Sequence, residues 1–408
     1  MTCSIHRART PAAVALAMAL CTPRLAVAQA AAPGNVDTGI RWNQCYRSGS
    51  DALADCRTTD FPAQDGAAGR DTDPRTRGGA DGWLGLSFRR LCVSGEYAGR
   101  GTCAMLPSPG DDQDDWGCIE DQLTGLMMEV KATTGKRARD LRYTNYSRDY
   151  DPLGQYRSPT DASGYIDGIN AARLCGFHDW ELGHTDKIQS VMDYGVMVAG
   201  AARVDDRFLP TTNADWYWNA SLNPTSPSTA FAMDFGSGAA SNSAERGTLR
   251  YVQAVRNGKP GHGPKGRYEP SEDGTEIRDT TANAKLIWRR CVEGMAWDGV
   301  TCAGTPDVFT QEEALAHAAR EAASLGVPWR VPSVKELNWL VHREYASPAI
   351  DHLAFPATPP LPTWTSTPEV RSPATAWAVE FDVGGIGTWS RDGLLVLRLA
   401  RDPDWRGR

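Results

Sequence analysis

The sequence predicts an α+β protein built from two copies of one module and crosslinked by disulfides. Three observations lead there: a helix–corner–helix unit between Thr310 and His342, a worn copy of it upstream, and cysteines that recur at one spacing. The 408 residues suffice for two or three domains with a well-buried interior.

In chain order, Met1 to Ala28 reads as a secretory signal peptide. His6, Arg7 and Arg9 precede an apolar run from Ala12 to Leu20, and Ala26-Val27-Ala28 supplies small residues for cleavage. That run is too short to span a bilayer, and no other stretch reaches 18 apolar residues, so no transmembrane span is expected in the mature chain. Leu20 before Cys21 is larger than a lipobox tolerates, which argues against a lipid anchor. Export to the periplasm, the outer surface or the medium is the expectation. Residues 29–115 form a cysteine-containing leader region, with a Gly-, Asp- and Arg-rich loop from Ala63 to Gly82 and a strand-like Trp83–Phe88. The acidic junction Asp111, Asp112, Asp114 and Asp115 reads as a solvated linker, since the Gly and distal Glu of a calcium loop are missing.

The first module is assigned to 116–257. Leu123 to Val130 is its opening strand, Tyr165 to Gly176 its first helix, Asp179 to Leu182 the corner, and Thr185 to Met192 its second helix. Ala230 to Phe235 alternates as a strand does, and Tyr251 to Arg256 closes the unit. Residues 258–279 are assigned to a linker; Lys259, His262, Lys265 and Arg267 there form the one compact basic run, read as solvated.

The second module, 280–402, carries the clearest signals. Thr310-Gln311-Glu312-Glu313 is a capping box that opens an Ala-rich helix with Leu315, Ala318, Ala319, Ala322 and Leu325 on one stripe, and Gly326 ends it. Val327-Pro328-Trp329-Arg330-Val331-Pro332 is forced into extended form by proline. Ser333-Val334-Lys335-Glu336 is a second capping box, with Leu337, Leu340 and Val341 on the buried stripe. The strand Ala376 to Phe381 matches Ala230 to Phe235 in pattern, and Leu394 to Arg401 closes the copy.

Without the signal peptide, which holds three arginines and no acid, the formal charge moves from −7 to −10. So acidic a chain, with no basic stripe, is not built for nucleic acid. Eight cysteines remain. Cys45 and Cys56, Cys92 and Cys103, and Cys291 and Cys302 share one spacing and read as local disulfides; Cys118 and Cys175 are left over. Zinc would need close ligand pairs, and none occurs.

Taken as an ordered set, several motifs resemble the Lcl C-terminal domain family in two tandem copies. They are Trp116-Gly117-Cys118, Thr124 to Lys131, Leu174-Cys175-Gly176 with Asp179-Trp180, Trp329 to Ser333 with Glu336-Leu337, Ile350-Asp351, and Ala376 to Phe381. Asp37 to Ile40, and Gln64 to Asp71, look like the leader that accompanies such modules. The resemblance implies C-type-lectin-like modules, each two helices on a small, mostly antiparallel sheet, in a bacterial surface or adhesin-associated protein. A cysteine common in the family's first-helix region is absent, which leaves Cys118 and Cys175 as expected partners. The first copy departs from the pattern, with Trp180-Glu181-Leu182-Gly183-His184 where the family has Arg after Trp.

No nucleophile-elbow, metalloprotease or phosphate-loop motif occurs, so neither catalysis nor a cofactor is expected. His178, Asp179, Glu181, His184 and Asp186 crowd one corner and form the weaker alternative, a metal-dependent hydrolase. The tripeptides of calcium-dependent sugar binding are missing, and no metal site is assigned. Among 14 tryptophans, Trp216, Trp218, Trp364 and Trp389 fall in loop-like or edge-like sequence and are the candidate binding residues. Trp180, Trp329 and Trp377 read as core. The expected function is non-enzymatic binding at the cell surface, to a polysaccharide or surface glycan, with an envelope scaffold that binds another protein as the alternative.

Overall fold

The computed structural model describes residues 37–67, 85–257, 267–281 and 286–403. The signal peptide, Ala68 to Leu84 and the basic residues Lys259, His262 and Lys265 lie outside them.

The leader makes a hairpin of β1 (Cys45–Arg47) and β2 (Ser50–Ala54), closed by Cys45–Cys56. β3 (Phe88–Cys92), β4 (Trp116–Asp121) and β5 (Leu126–Glu129) follow, then α1 (Ala162–Ala171), β6 (Glu181–Leu182) and α2 (Thr185–Ser190). β7 (Trp216–Leu222), β8 (Thr229–Asp234), β9 (Ala240–Glu245) and β10 (Ala254–Asn257) complete the first copy. The second copy runs through β11 (Tyr268–Pro270), β12 (Glu276–Asp279), β13 (Ile287–Arg289), β14 (Met295–Trp297) and β15 (Cys302–Gly304). It continues with α3 (Gln311–Leu325), α4 (Val334–Asn338), β16 (Pro362–Pro368), β17 (Thr375–Glu380), β18 (Ile386–Ser390) and β19 (Ala400–Arg401).

The strand orders reveal the duplication. β3-β4-β5-β10-β6 form one sheet and β11-β12-β13-β19 another, with Arg330 bridging to Ala400 as β6 pairs with β10. Two expectations change here. Cys92–Cys103 sits on β3, an edge strand of the first module's sheet, not in a separate leader. The supposed linker supplies β11 and β12, and Arg267 is buried against Asp279 at 2.6 Å, so it belongs to no solvated basic run. Short strands of mixed polarity carry no period that sequence could register.

Leu123 to Val130 is likewise not one strand. Gly125 takes φ +71° in a turn where Thr124 Oγ1 donates to Asp121 at 2.6 Å, and β5 begins at Leu126. Both capping boxes form with both of their hydrogen bonds. On α3, Ala314, Leu315 and Ala318 are buried, but Leu325 is exposed, because the last turn projects beyond the core. The first copy's α1 starts three residues earlier than read, capped by Asp161, and ends in a separate 3-10 turn at Leu174–Gly176.

The six strands β7-β8-β9 and β18-β17-β16 form one sheet with a palindromic order. β9 meets β18 through Ala240 and Ile386, separated by the same interval as Trp218 from Trp364. On one face lie α2 and α4, where Asn338 donates to Gln189, its own counterpart, at 2.8 Å. A pseudo-twofold axis therefore runs between these pairs. Each copy reaches across it: Tyr194 packs edge-on to Trp377 at 4.9 Å, and the counterpart Arg343 lies over Phe231 at 5.2 Å. Met233, Phe235, Val379 and Phe381 fill the same continuous core. Burying each such Phe contributes roughly 2–3 kcal/mol. The two copies thus share one core across the axis, and each keeps a further core of its own, around Trp180 and Trp218 in the first and around Trp329 and Trp364 in the second.

Candidate functional site

Of the four tryptophans singled out, two are core. Trp218 and Trp364 are fully buried in β7 and β16, and their indole N–H groups donate to Tyr143 O at 2.8 Å and Phe309 O at 2.7 Å. The expectation of loop or edge exposure is corrected: both strands are covered by their own module's first helix and closing segment. Trp216 is half-buried, with Arg250 over its ring at 5.3 Å.

Trp389 differs. The strand register puts Trp389 opposite Ala376 and Gly387 opposite Ala378. A Cβ at Gly387 would meet the Trp389 ring at 3.1 Å, so the ring lies down over the glycine. Its inner side packs on the core of α3 and β16 and it is, like Trp216, half-buried. The helices pack on the outer strands, α2 on β7 and β8, α4 and α3 on β16 and β17. On β9 Ser243 is open to solvent, whereas Thr388 and Ser390, either side of Trp389, alternate to the opposite face of the sheet. A flat aromatic ring on a rigid sheet can accept the apolar face of a sugar ring. The counterpart of Trp389 is Ser243, so the first copy has no such ring.

The Trp corners explain the recurring motif. Arg330 forks onto Glu336 with both contacts at 2.7 Å, and Glu336 also accepts from Ser333 N at 2.8 Å. Burial disfavours the Arg330 charge, but attraction to Glu336 and Asp402 outweighs it and holds the guanidinium above its usual pKa. The Lcl C-terminal domain model matches residues 117–256 and 277–401. The chain belongs to the Lcl C-terminal domain family. No curated protein matches it. Its family membership fits a surface-associated protein.

In the first Lcl copy the corner pair is charge-reversed. Glu181 stands where Arg330 does and Lys187 where Glu336 does, and they meet at 2.5 Å on the surface. The departure from the family pattern is a compensated exchange. Asp179 is bound by Arg256 at 2.7 Å and Glu181 by Lys187, while Asp186 is buried. Among the described residues no three His, Cys, Asp or Glu side chains gather to hold a metal.

Asp186 and Lys335 are another exchanged pair, each pointing across the axis from its short helix. Lys335 Nζ donates to Asp37 O at 2.6 Å, Met192 O at 2.7 Å and Ser190 O at 3.0 Å. Burial lowers its pKa to about 8, opposed by Asp37, Asp193, Asp121 and Asp65. Burial likewise raises Asp65 to about 7 and Asp193 to about 6. This cluster ties leader to modules and is closed to solvent.

All four disulfides form: Cys45–Cys56, Cys92–Cys103, Cys118–Cys175 and Cys291–Cys302. They are compatible with an exported chain. No described helix is long and apolar enough to cross a membrane.

Proposed function

We propose that this chain is a non-enzymatic binding protein of the bacterial envelope or cell surface that adheres to glycans through Trp389. The fold is read as a fused pair of C-type-lectin-like modules: two helices per copy, long ordered loops and local disulfides support that description. The observation that carries the function is the half-buried Trp389 ring laid over Gly387 on the central strand β18. Glycan-array binding by the disulfide-intact mature chain, insensitive to chelator and lost in Trp389→Ala, is the expected result. Array binding that is unchanged in Trp389→Ala refutes this assignment.

A second reading, an envelope scaffold that binds another protein, has one observation in its favour. Leu353 is 87% and Val300 82% exposed, and Arg290 joins their loops by stacking on Trp297 at 3.6 Å and donating to Leu353 O at 3.1 Å. Copurification of an envelope protein that is lost in Leu353→Asp, with no glycan signal, would favour it.

A further inference from the structure

We propose that the leader hairpin completes the Trp389 platform, and that carboxylates at its rim restrict the site to saccharides without sulfate or carboxylate groups. This rests on the glycan-binding reading above.

The geometry begins with Arg391, two residues beyond Trp389 and continuing the same pairing, since Arg391 N donates to Ala374 O at 3.0 Å. Alternation therefore puts the two side chains on one face. Arg391 is buried, although an arginine at a strand end ordinarily reaches water. Its Nη1 donates to Ser50 O at 2.8 Å and Asp51 Oδ1 at 2.6 Å, its Nε to Gln311 Oε1 at 3.1 Å, and its guanidinium covers the Tyr46 ring at 4.0 Å. Tyr46 OH in turn donates to Thr375 O at 2.6 Å, beside the cross-strand partner of Trp389. Ser48 Oγ and Gly49 N donate to Glu312 at 2.7 and 2.9 Å. The hairpin, pinned by Cys45–Cys56, is thus latched by one arginine against the end of β18 that carries the platform.

The latch also decides the charge of the rim. Asp51 is 61% and Glu312 35% exposed at the side chain, and Asp60 and Asp392 are exposed nearby in sequence to the hairpin and to β18. Against these four carboxylates stand Arg391, buried and already shared between Asp51 and Glu312, and Arg47 on the hairpin, while the neighbouring Arg57 is paired with a fifth carboxylate, Asp55. A sulfated or uronic chain stacking on Trp389 would bring like charge to this rim, which costs affinity. A neutral or amino-bearing sugar avoids that cost and keeps the stacking contact.

The test uses the full mature chain with its disulfides intact, retained on immobilised chitin, chitosan and heparin at physiological salt. Chitin and chitosan are expected to retain it and heparin not. The exposed double variant Asp51→Asn/Asp392→Asn should strengthen heparin retention and weaken chitosan retention by about threefold each, with chitin unchanged. Arg391→Lys, which keeps charge but not the fork, should weaken retention on chitin and chitosan alike. Trp389-dependent retention strongest on heparin and unmoved by the double variant overturns the inference and leaves the glycan reading standing. Absence of Trp389-dependent retention on all three polymers removes the reading, and the inference with it.

Discussion

The exchanged corner charges give the sharpest stability prediction. Arg330→Ala and Glu181→Ala remove counterparts from the two copies, yet their surroundings differ. The Arg330 and Glu336 side chains are each 8% exposed, so the truncation leaves a buried carboxylate without its fork; the expected cost is about 3–5 kcal/mol, of which the retained bond from Ser333 N–H recovers a part. The Glu181 side chain is 48% exposed, and its removal should cost about 0–1 kcal/mol. Guanidinium unfolding of the oxidised chain, followed by tryptophan fluorescence, reads both; a lower midpoint at unchanged slope identifies a stability change. Transplanting the first copy's pair as Arg330→Glu/Glu336→Lys should recover part of the loss. Equal costs for the two truncations would refute the claim that burial, not pairing, sets the worth of this bridge.

Three further outcomes follow from the same structure. Asp65 and Asp193 hold their protons more tightly when folded, so stability should rise as pH falls from about 7 towards 4, by up to about 1.4 kcal/mol per pH unit for each group, and Asp65→Asn should flatten that slope in a pH series of thermal melts. Lys335, lowered to about 8, has finished titrating above that window and does not offset it. Serine pairs at Cys118 and Cys175, which close a span of 57 residues, should cost about 4 kcal/mol, against about 3 kcal/mol for Cys291 and Cys302 with a span of 11, measured by urea unfolding. Trp218→Ala and Trp364→Ala should each cost about 3–5 kcal/mol, whereas Trp389→Ala should lower stability far less while abolishing glycan retention.

The sequence by itself determined what is local. Capping boxes, proline corners, alternating strands and cysteine pairs at one spacing each involve residues within a dozen positions of one another, and hydrogen bonding at that range depends little on the remainder of the chain. Duplication was legible for the same reason: the Trp corners recur as short patterns. Tertiary structure alone decided the rest. It fused the copies across Ala240 and Ile386, drew β11 and β12 out of an unpatterned stretch, and buried Trp218 and Trp364 while leaving Trp389 half-buried. The latch on that ring joins Arg391 to Ser50, Asp51 and Gln311, residues 341, 340 and 80 positions away. Exposure and long-range pairing are properties of the assembled chain, because which face of a strand is covered depends on elements encoded hundreds of residues apart.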